Sequence, residues 1–192
     1  MMRDELQKKL FKKYPDLFWQ RDLSASKSNM VFGFECDDGW YHILDGLCRA
    51  ITNHVKSEIS NAKYRQTKKE LVNFNDYRVS ATQVKEKFGG LRFYISGGDD
   101  HVYGMIHLAE EMSYITCEKC AQPGALCSKV GWLKTLCPEC QEKDEYNVNQ
   151  DESDESGKSC WNCGYWIETT NENKKSEGRY SCENCGIENS LI

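Results

Sequence analysis

Residues 117–140 read CEKCAQPGALCSKVGWLKTLCPEC. Cys117 and Cys120 flank two residues, and so do Cys137 and Cys140, with residues 121–136 between the pairs. A C-x2-C turn can aim both of its sulfurs at one metal ion, and a second turn completes a tetrahedron of four thiolates. The spacing is that of a zinc ribbon. The pattern returns at Cys160, Cys163, Cys182 and Cys185, with residues 164–181 between the pairs. There Gly164 and Gly186 follow the second cysteine of each turn, which lets backbone N–H groups approach the thiolates. Trp161, Tyr165, Trp166, Ile167 and Tyr180 supply nearly all the apolar material of that cluster. So small a core would not fold alone, and bound metal would supply the missing free energy.

These eight cysteines predict two structural Zn2+ ions. A site closed by four thiolates leaves no position for water or substrate, so the metal is not expected to carry chemistry. Redox C-x2-C pairs usually come singly beside a βαβ pattern, which is not the arrangement here. Iron is the alternative for the second cluster, whose repeated C-x2-C-G is rubredoxin-like. The chain has 11 cysteines, an odd number, and its first residues lack the apolar stretch of a secretory signal. A disulfide framework is therefore the weaker reading, and the cytoplasm is the expected compartment. Cys36, Cys48 and Cys127 are surplus to the two tetrahedra and read as packed thiols. No apolar run approaches the roughly 20 residues that a membrane helix needs.

Upstream of the first cluster, residues 1–116 read as a small α+β domain. Leu6 and Leu10 predict a helix over residues 3–13, which Pro15 ends. Trp40, Leu44, Leu47, Ile51, Val55 and Ile59 recur every three or four residues and predict a helix over 39–60, with Asp37 and Asp38 at its cap. Residues 61–78 read as a helix end plus loop. Residues 79–96, VSATQVKEKFGGLRFYIS, alternate like a β-hairpin turning at Gly89-Gly90. That turn sets Phe88 opposite Leu91, Lys87 opposite Arg92, and Lys85 opposite Tyr94. Val84, Phe88, Leu91, Phe93 and Ile95 then form a core face, and Glu86 is its misfit. Val102, Met105, Ile106, Ala109 and Met112 predict a further helix over 101–115, capped by Asp99 or Asp100.

The chain carries 25 Lys+Arg against 30 Asp+Glu, net −5. The acids concentrate in QEKDEYNVNQDESDESGKS, residues 141–159, which has almost no apolar content and reads as an acidic disordered linker. The expected order is an α+β domain over 1–116, a first ribbon over 117–140 packed on it, the linker, and a second ribbon over 160–192.

Between residues 56 and 92, lysines and arginines outnumber acids and alternate with Tyr64, Phe74, Tyr77, Phe88, Phe93 and Tyr94. Phosphate contacts and base stacking need these residue types on one open face. The hairpin gathers Lys85, Lys87, Arg92 and Tyr94 on its non-core side, and Trp132 and Lys134 of the ribbon could extend that surface. A sheet with one buried face must also show polar residues on the other, so a plain solvated face is the competing reading. The leading expectation is a non-catalytic protein that binds nucleic acid, single strands included. The alternative is a protein-binding adaptor or a phage-encoded inhibitor of a host protein, anchored by Trp132, Trp161 and Trp166. A hydrolase or nuclease using Asp37-Asp38 or Asp99-Asp100 is a third reading. No Walker A loop, G-x-S-x-G, dinucleotide fingerprint or H-E-x-x-H supports it. His54 and Glu58, four apart on a predicted helix, read equally well as a surface ion pair.

The stretch ATQVKEKFGGLRFYISGGDD (81–100), a helix, and then C-x2-C…GWLKTLC-x2-C resemble small zinc-ribbon proteins of bacteria and their phages. The resemblance covers about residues 31–140 and includes Asp38-Gly39-Trp40. It implies architecture and no activity; the acidic stretch and second ribbon look like an addition. The first ribbon is also distantly similar in spacing to the zinc knuckle of bacterial RNA-polymerase-binding regulators, but lacks their Arg-rich middle and coiled coil.

Overall fold

A computed structural model describes residues 1–67 and 77–148 together with five short strands after residue 156. The chain is α+β and divides into two units, Met1–Val148 and Asn149–Ile192.

In the first unit, α1 (Asp4–Lys13) has Asp4 and Glu5 in its first turn and Lys12 and Lys13 in its last, which suits the helix dipole. Leu10 is fully buried, and the helix stops at Tyr14 just before Pro15. The Tyr14 hydroxyl donates to Asp45 Oδ1 at 2.8 Å, and Lys13 Nζ meets the same carboxylate at 2.7 Å. Two 3-10 turns, Trp19–Asp22 and Asn29–Phe32, then lead into β1 (Phe34–Glu35). Sequence periodicity gives no sign of these short elements, yet they bring Phe18, Met30 and Phe34 into the core.

A further 3-10 turn, Asp38–Trp40, precedes α2 (Tyr41–Thr67). The predicted stripe holds: Trp40, Leu44, Leu47 and Ile51 are buried. The helix runs to Thr67, beyond the expected end. Neither aspartate before it caps by its side chain. Asp37 instead pairs with Lys134 at 3.5 Å and with the Met1 amine, and Asp38 pairs with Arg3.

The central sheet has the order β1-β2-β3. β1 runs parallel to β2 (Val79–Lys87), and β2 is antiparallel to β3 (Gly90–Gly97). The β2–β3 turn lies at Phe88-Gly89, one residue earlier than expected, so Lys87 pairs with Gly90, Glu86 with Leu91, Lys85 with Arg92 and Val84 with Phe93. From Gln83 to Lys87 each β2 residue therefore faces a β3 residue two earlier than expected, and the inward and outward faces there are unchanged. Phe88 is the exception: placed by sequence on the core face, it occupies the turn with φ 55° and is 64% exposed. The Gly89 N–H donates to Glu86 Oε1 at 2.7 Å, which gives the misfit acid a role. A Cβ at Gly90 would overlap the Tyr114 ring, so Gly90 is needed as a strand glycine.

α3 (Asp100–Ser113) lies along the β3 edge. Asp99 Oδ1 accepts from the Val102 N–H at 3.0 Å, a side-chain N-cap. Val102, Ile106 and Ala109 are buried, whereas Met112 is 44% exposed. Glu110 Oε1 accepts from Phe93 N at 3.0 Å and Ser113 Oγ from Leu91 N at 2.8 Å. These two side chains satisfy edge N–H groups that would otherwise invite another strand. Phe18 stacks edge-on against Phe11 and Phe34 at 5.2–5.5 Å and joins Phe93 at the core centre.

A second hairpin, β4 (Ala125–Lys129) and β5 (Trp132–Leu136), precedes α4 (Pro138–Asp144) and β6 (Asn147–Val148). β6 pairs with β4, so the sheet order is β5-β4-β6. This corrects the expected linker: residues 141–148 are the end of a helix and a third strand. Pro138 at the first helical position and the β6 pairing of Val148 with Cys127 draw this polar stretch into the first unit.

In the second unit, β7 (Gly157–Ser159) pairs with β8 (Trp166–Glu168). β9 (Lys174–Lys175), β10 (Arg179–Ser181) and β11 (Glu188–Ser190) form a three-stranded antiparallel sheet. Among the described residues, no helix is long and apolar enough to cross a membrane.

Candidate metal centre

The four sulfurs of Cys117, Cys120, Cys137 and Cys140 all lie within 4.8 Å of one another. Cys120 Sγ is 3.4 Å from Cys137 Sγ and 3.7 Å from Cys140 Sγ. A disulfide would need about 2.05 Å, whereas a tetrahedron with metal–sulfur bonds of about 2.3 Å spaces its sulfurs by roughly 3.8 Å. The group therefore fits a metal ion, and among the described residues it is the one such cluster. Cys160, Cys163, Cys182 and Cys185 lie outside the described residues.

Local backbone chemistry builds this arrangement. Ala121, with φ 65°, closes the first turn by donating its N–H to the Cys117 carbonyl at 3.0 Å. Cys137 sits at the N-cap of α4, and the backbone N–H of Cys140 beside its sulfur holds the Cys137 thiol down to about 7. Burial pushes the Cys120 thiol up. Cys127 stands apart from the four: it is buried, and its thiol donates to the Lys134 carbonyl at 3.1 Å. Cys36 and Cys48 are buried, and burial pushes both thiols well up, so they are inert packing groups.

The first cysteine turn rests on the N-terminal part of the chain. The Gly39 N–H donates to the Glu118 carbonyl at 2.7 Å. A Cβ at Gly39 would overlap the backbone of Cys117, Glu118 and Ala121, so glycine alone admits so close an approach. Trp40, fully buried, donates from Nε1 to the Thr116 carbonyl at 2.9 Å. Glu118 accepts from the Asp37 N–H at 3.0 Å and holds Lys134 Nζ at 2.7 Å. Burial pushes the Glu118 carboxyl up, with Lys134 working against that shift. Burial would discharge Lys134, but its contact with Glu118 wins and keeps the ammonium charged. Thr135 Oγ1 donates to the Gly89 carbonyl at 2.7 Å and joins the second hairpin to the first turn. Asp38-Gly39-Trp40 was visible in the sequence as a motif, but its use as a seat for the cysteine turn was not.

Of the residues expected on the basic face, Lys85 and Tyr94 do lie together, with Lys85 Nζ 5.7 Å from the ring centroid. Lys87 is exposed, its ammonium 5.1 Å from the Phe88 ring. Arg92 is half-buried and donates to the Tyr114 hydroxyl and the Leu91 carbonyl, each at 2.7 Å. Lys134 turns inward to Glu118, which removes it from the surface the sequence suggested. Trp132 is 74% exposed beside the β4–β5 turn, and Trp166 begins β8. His54 meets Asp99 at 2.7 Å rather than Glu58 and stacks on His101 with ring centroids 5.3 Å apart. No protein-family model, curated protein or solved structure matches this chain.

Proposed function

We propose that this is a zinc-binding, non-catalytic recognition protein that engages nucleic acid through the outer face of β2–β3. The carrying observation is that Lys85 stands on this face beside exposed Tyr94, with exposed Lys87 further along it toward the turn, while the opposite face is sealed by Val84, Leu91 and Phe93. Cations with an exposed ring supply phosphate contacts and stacking on one surface. Arg92 and Lys134 are left out of the reading because both already hold protein partners. The eight paired cysteines would hold two structural zinc ions, and elemental analysis of the full chain should return two equivalents. Anisotropy titration of a labelled single strand should weaken steeply with salt. Replacing Lys85 and Lys87 by Ala should lower the slope of log K against log salt by about 1.4 units. An unchanged slope would remove the basic face from binding.

One observation favours a protein partner as the second reading. Phe88 and Val130 occupy hairpin turns at positive φ, and together with Trp132 they are widely exposed. Bulky residues rarely adopt that conformation. Salt-insensitive capture of a protein, lost in Trp132→Ala, would select this reading.

A further inference from the structure

We propose that the cleft between the Ser24–Asn29 loop and the outer face of β2–β3 is a seat for one nucleotide of a single strand, with Tyr94 as the base platform and Lys27 and Lys85 as the phosphate contacts. The inference rests on the nucleic-acid reading above and places that reading in a defined site. The cleft measures about 530 Å³ and is lined by Ser26, Lys27, Asn29, Gln83, Lys85 and Tyr94, among others. Ligand clefts run from about 300 to 1,000 Å³, so a single nucleotide fits.

The walls are built before any ligand arrives. On one side the loop folds on itself: the Ser24 carbonyl accepts from Lys27 N at 2.8 Å and from Ser28 N at 3.2 Å. Ser28 is buried, caps the following 3-10 turn by accepting from Met30 N, and reaches toward the Thr82 carbonyl at 3.4 Å. On the other side the β2–β3 register shifts between Ala81 and Gln83, leaving Thr82 as an extra residue in the cleft wall. Such a bulge re-aims side chains at the cost of regular pairing, and bulges gather beside binding sites. The Ala81 N–H, next to the bulge, is taken by the Leu17 carbonyl at 2.8 Å, which holds the distortion in place.

The lining chemistry selects the ligand. Its charged groups are Lys27 and Lys85, and no carboxylate is among the lining residues. Glu35 pairs in register with Lys85 across β1 and β2, but its carboxylate takes the Gln83 amide at 3.4 Å. Two cations with one acid close behind suit a single phosphate better than a run of them. Tyr94 is 41% exposed at this wall, and every base has a π face to lay on such a ring. The Lys85 ammonium now stands 5.7 Å from the centroid of that ring, a weak contact at an exposed site. A phosphate in the cleft offers it a stronger, charge-assisted partner. Ser26, Asn29 and Gln83 add neutral donors and acceptors for the base edge or sugar.

The test uses the full chain, a labelled ten-residue oligothymidylate and thymidine monophosphate. Tyr94→Ala should weaken oligomer binding by about 5- to 150-fold, while Tyr94→Phe, which keeps the ring, should bind as the parent does. Lys27→Ala should lower the salt slope by about 0.7 units. The mononucleotide should shift the backbone amide resonances of Asn29, Thr82 and Gln83. If Tyr94→Ala fails to fold by circular dichroism, the Lys27 slope and the amide shifts still decide. An oligomer that binds the parent chain, Tyr94→Ala and Lys27→Ala alike would overturn the cleft and leave the nucleic-acid reading standing on another surface. An oligomer that binds none of them at low salt would overturn both.

Discussion

The two hairpins of the first unit turn alike: Phe88-Gly89 joins β2 to β3 and Val130-Gly131 joins β4 to β5, each a bulky residue then glycine, all at positive φ. What holds their strands differs. Val84, Leu91 and Phe93 of the first hairpin are buried in a core that also takes residues from α1, α2 and α3. The second hairpin has a core of Cys117, Cys127, Leu136 and Cys137, with Cys140 and Tyr146 against it. Identical turn chemistry thus closes a hairpin in either setting, but only the first has enough apolar surface behind it to persist unaided. The second depends on the thiolate cluster and on its seat over Gly39, Trp40 and Asp37.

Removing the metal should separate the two most sharply. Structural zinc contributes about 10–16 kcal/mol in small zinc folds. A chelator, or Cys137→Ser, should therefore abolish amide protection in β4–β5 while β2–β3 stays protected. Equal loss in both hairpins would show that the first leans on the metal too. Cys127→Ser should leave the metal content unchanged, because its sulfur lies outside the cluster.

Smaller, and aimed at the seat, is the Glu118–Lys134 pair. Glu118→Gln takes the nearer of two countercharges from the half-buried Lys134 ammonium, leaving Asp37 at 3.5 Å, and should cost about 1.5–3 kcal/mol in a denaturant titration. Replacing both residues by Met should cost much less, and a double variant as unstable as the single one would mean that the pair is not what seats the hairpin.

Smallest is a change confined to the first hairpin's side. Asp99→Ala removes the α3 cap and should cost about 1 kcal/mol, leaving the metal content untouched. The hydrogen bond from His54 holds the Asp99 carboxyl below its ordinary value. A depressed carboxyl stabilises the fold above its unfolded pKa, near 4, and that contribution disappears as pH falls through the folded value. The difference between parent and variant should therefore shrink in acid; a constant difference would show that the ionised form is not what matters.

Much of the fold was legible because burial imposes a period. The Trp40–Ile51 stripe and the alternation of β2 and β3 survive in the structure for that reason. The turn position was not legible: Phe88-Gly89-Gly90 offers two overlapping two-residue windows, and propensity favours the one with two glycines. Tertiary contacts chose the other, since Gly90 is needed against Tyr114. The cysteine group was legible because ligand spacing is local. Lys134 was misread because its partners, Glu118 and Asp37, come from a distant turn and from the start of the chain. The Ser24–Asn29 wall carries no motif at all, and the bulge at Thr82 across the cleft shows only in the strand register.

The seating of Glu118 on Asp37 spans 81 residues of chain. During synthesis at about 5–20 residues per second, the Asp37–Trp40 segment leaves the ribosome roughly 4–16 s before the first cysteine turn. Loading of this thiolate cluster is then ordered in time: the segment that seats it is already outside when the ligands emerge, and the last of them, Cys140, follows within a few seconds. A cysteine turn that finds its seat segment waiting spends less time as a loose set of thiols, the form most open to oxidation or to capture of the wrong metal.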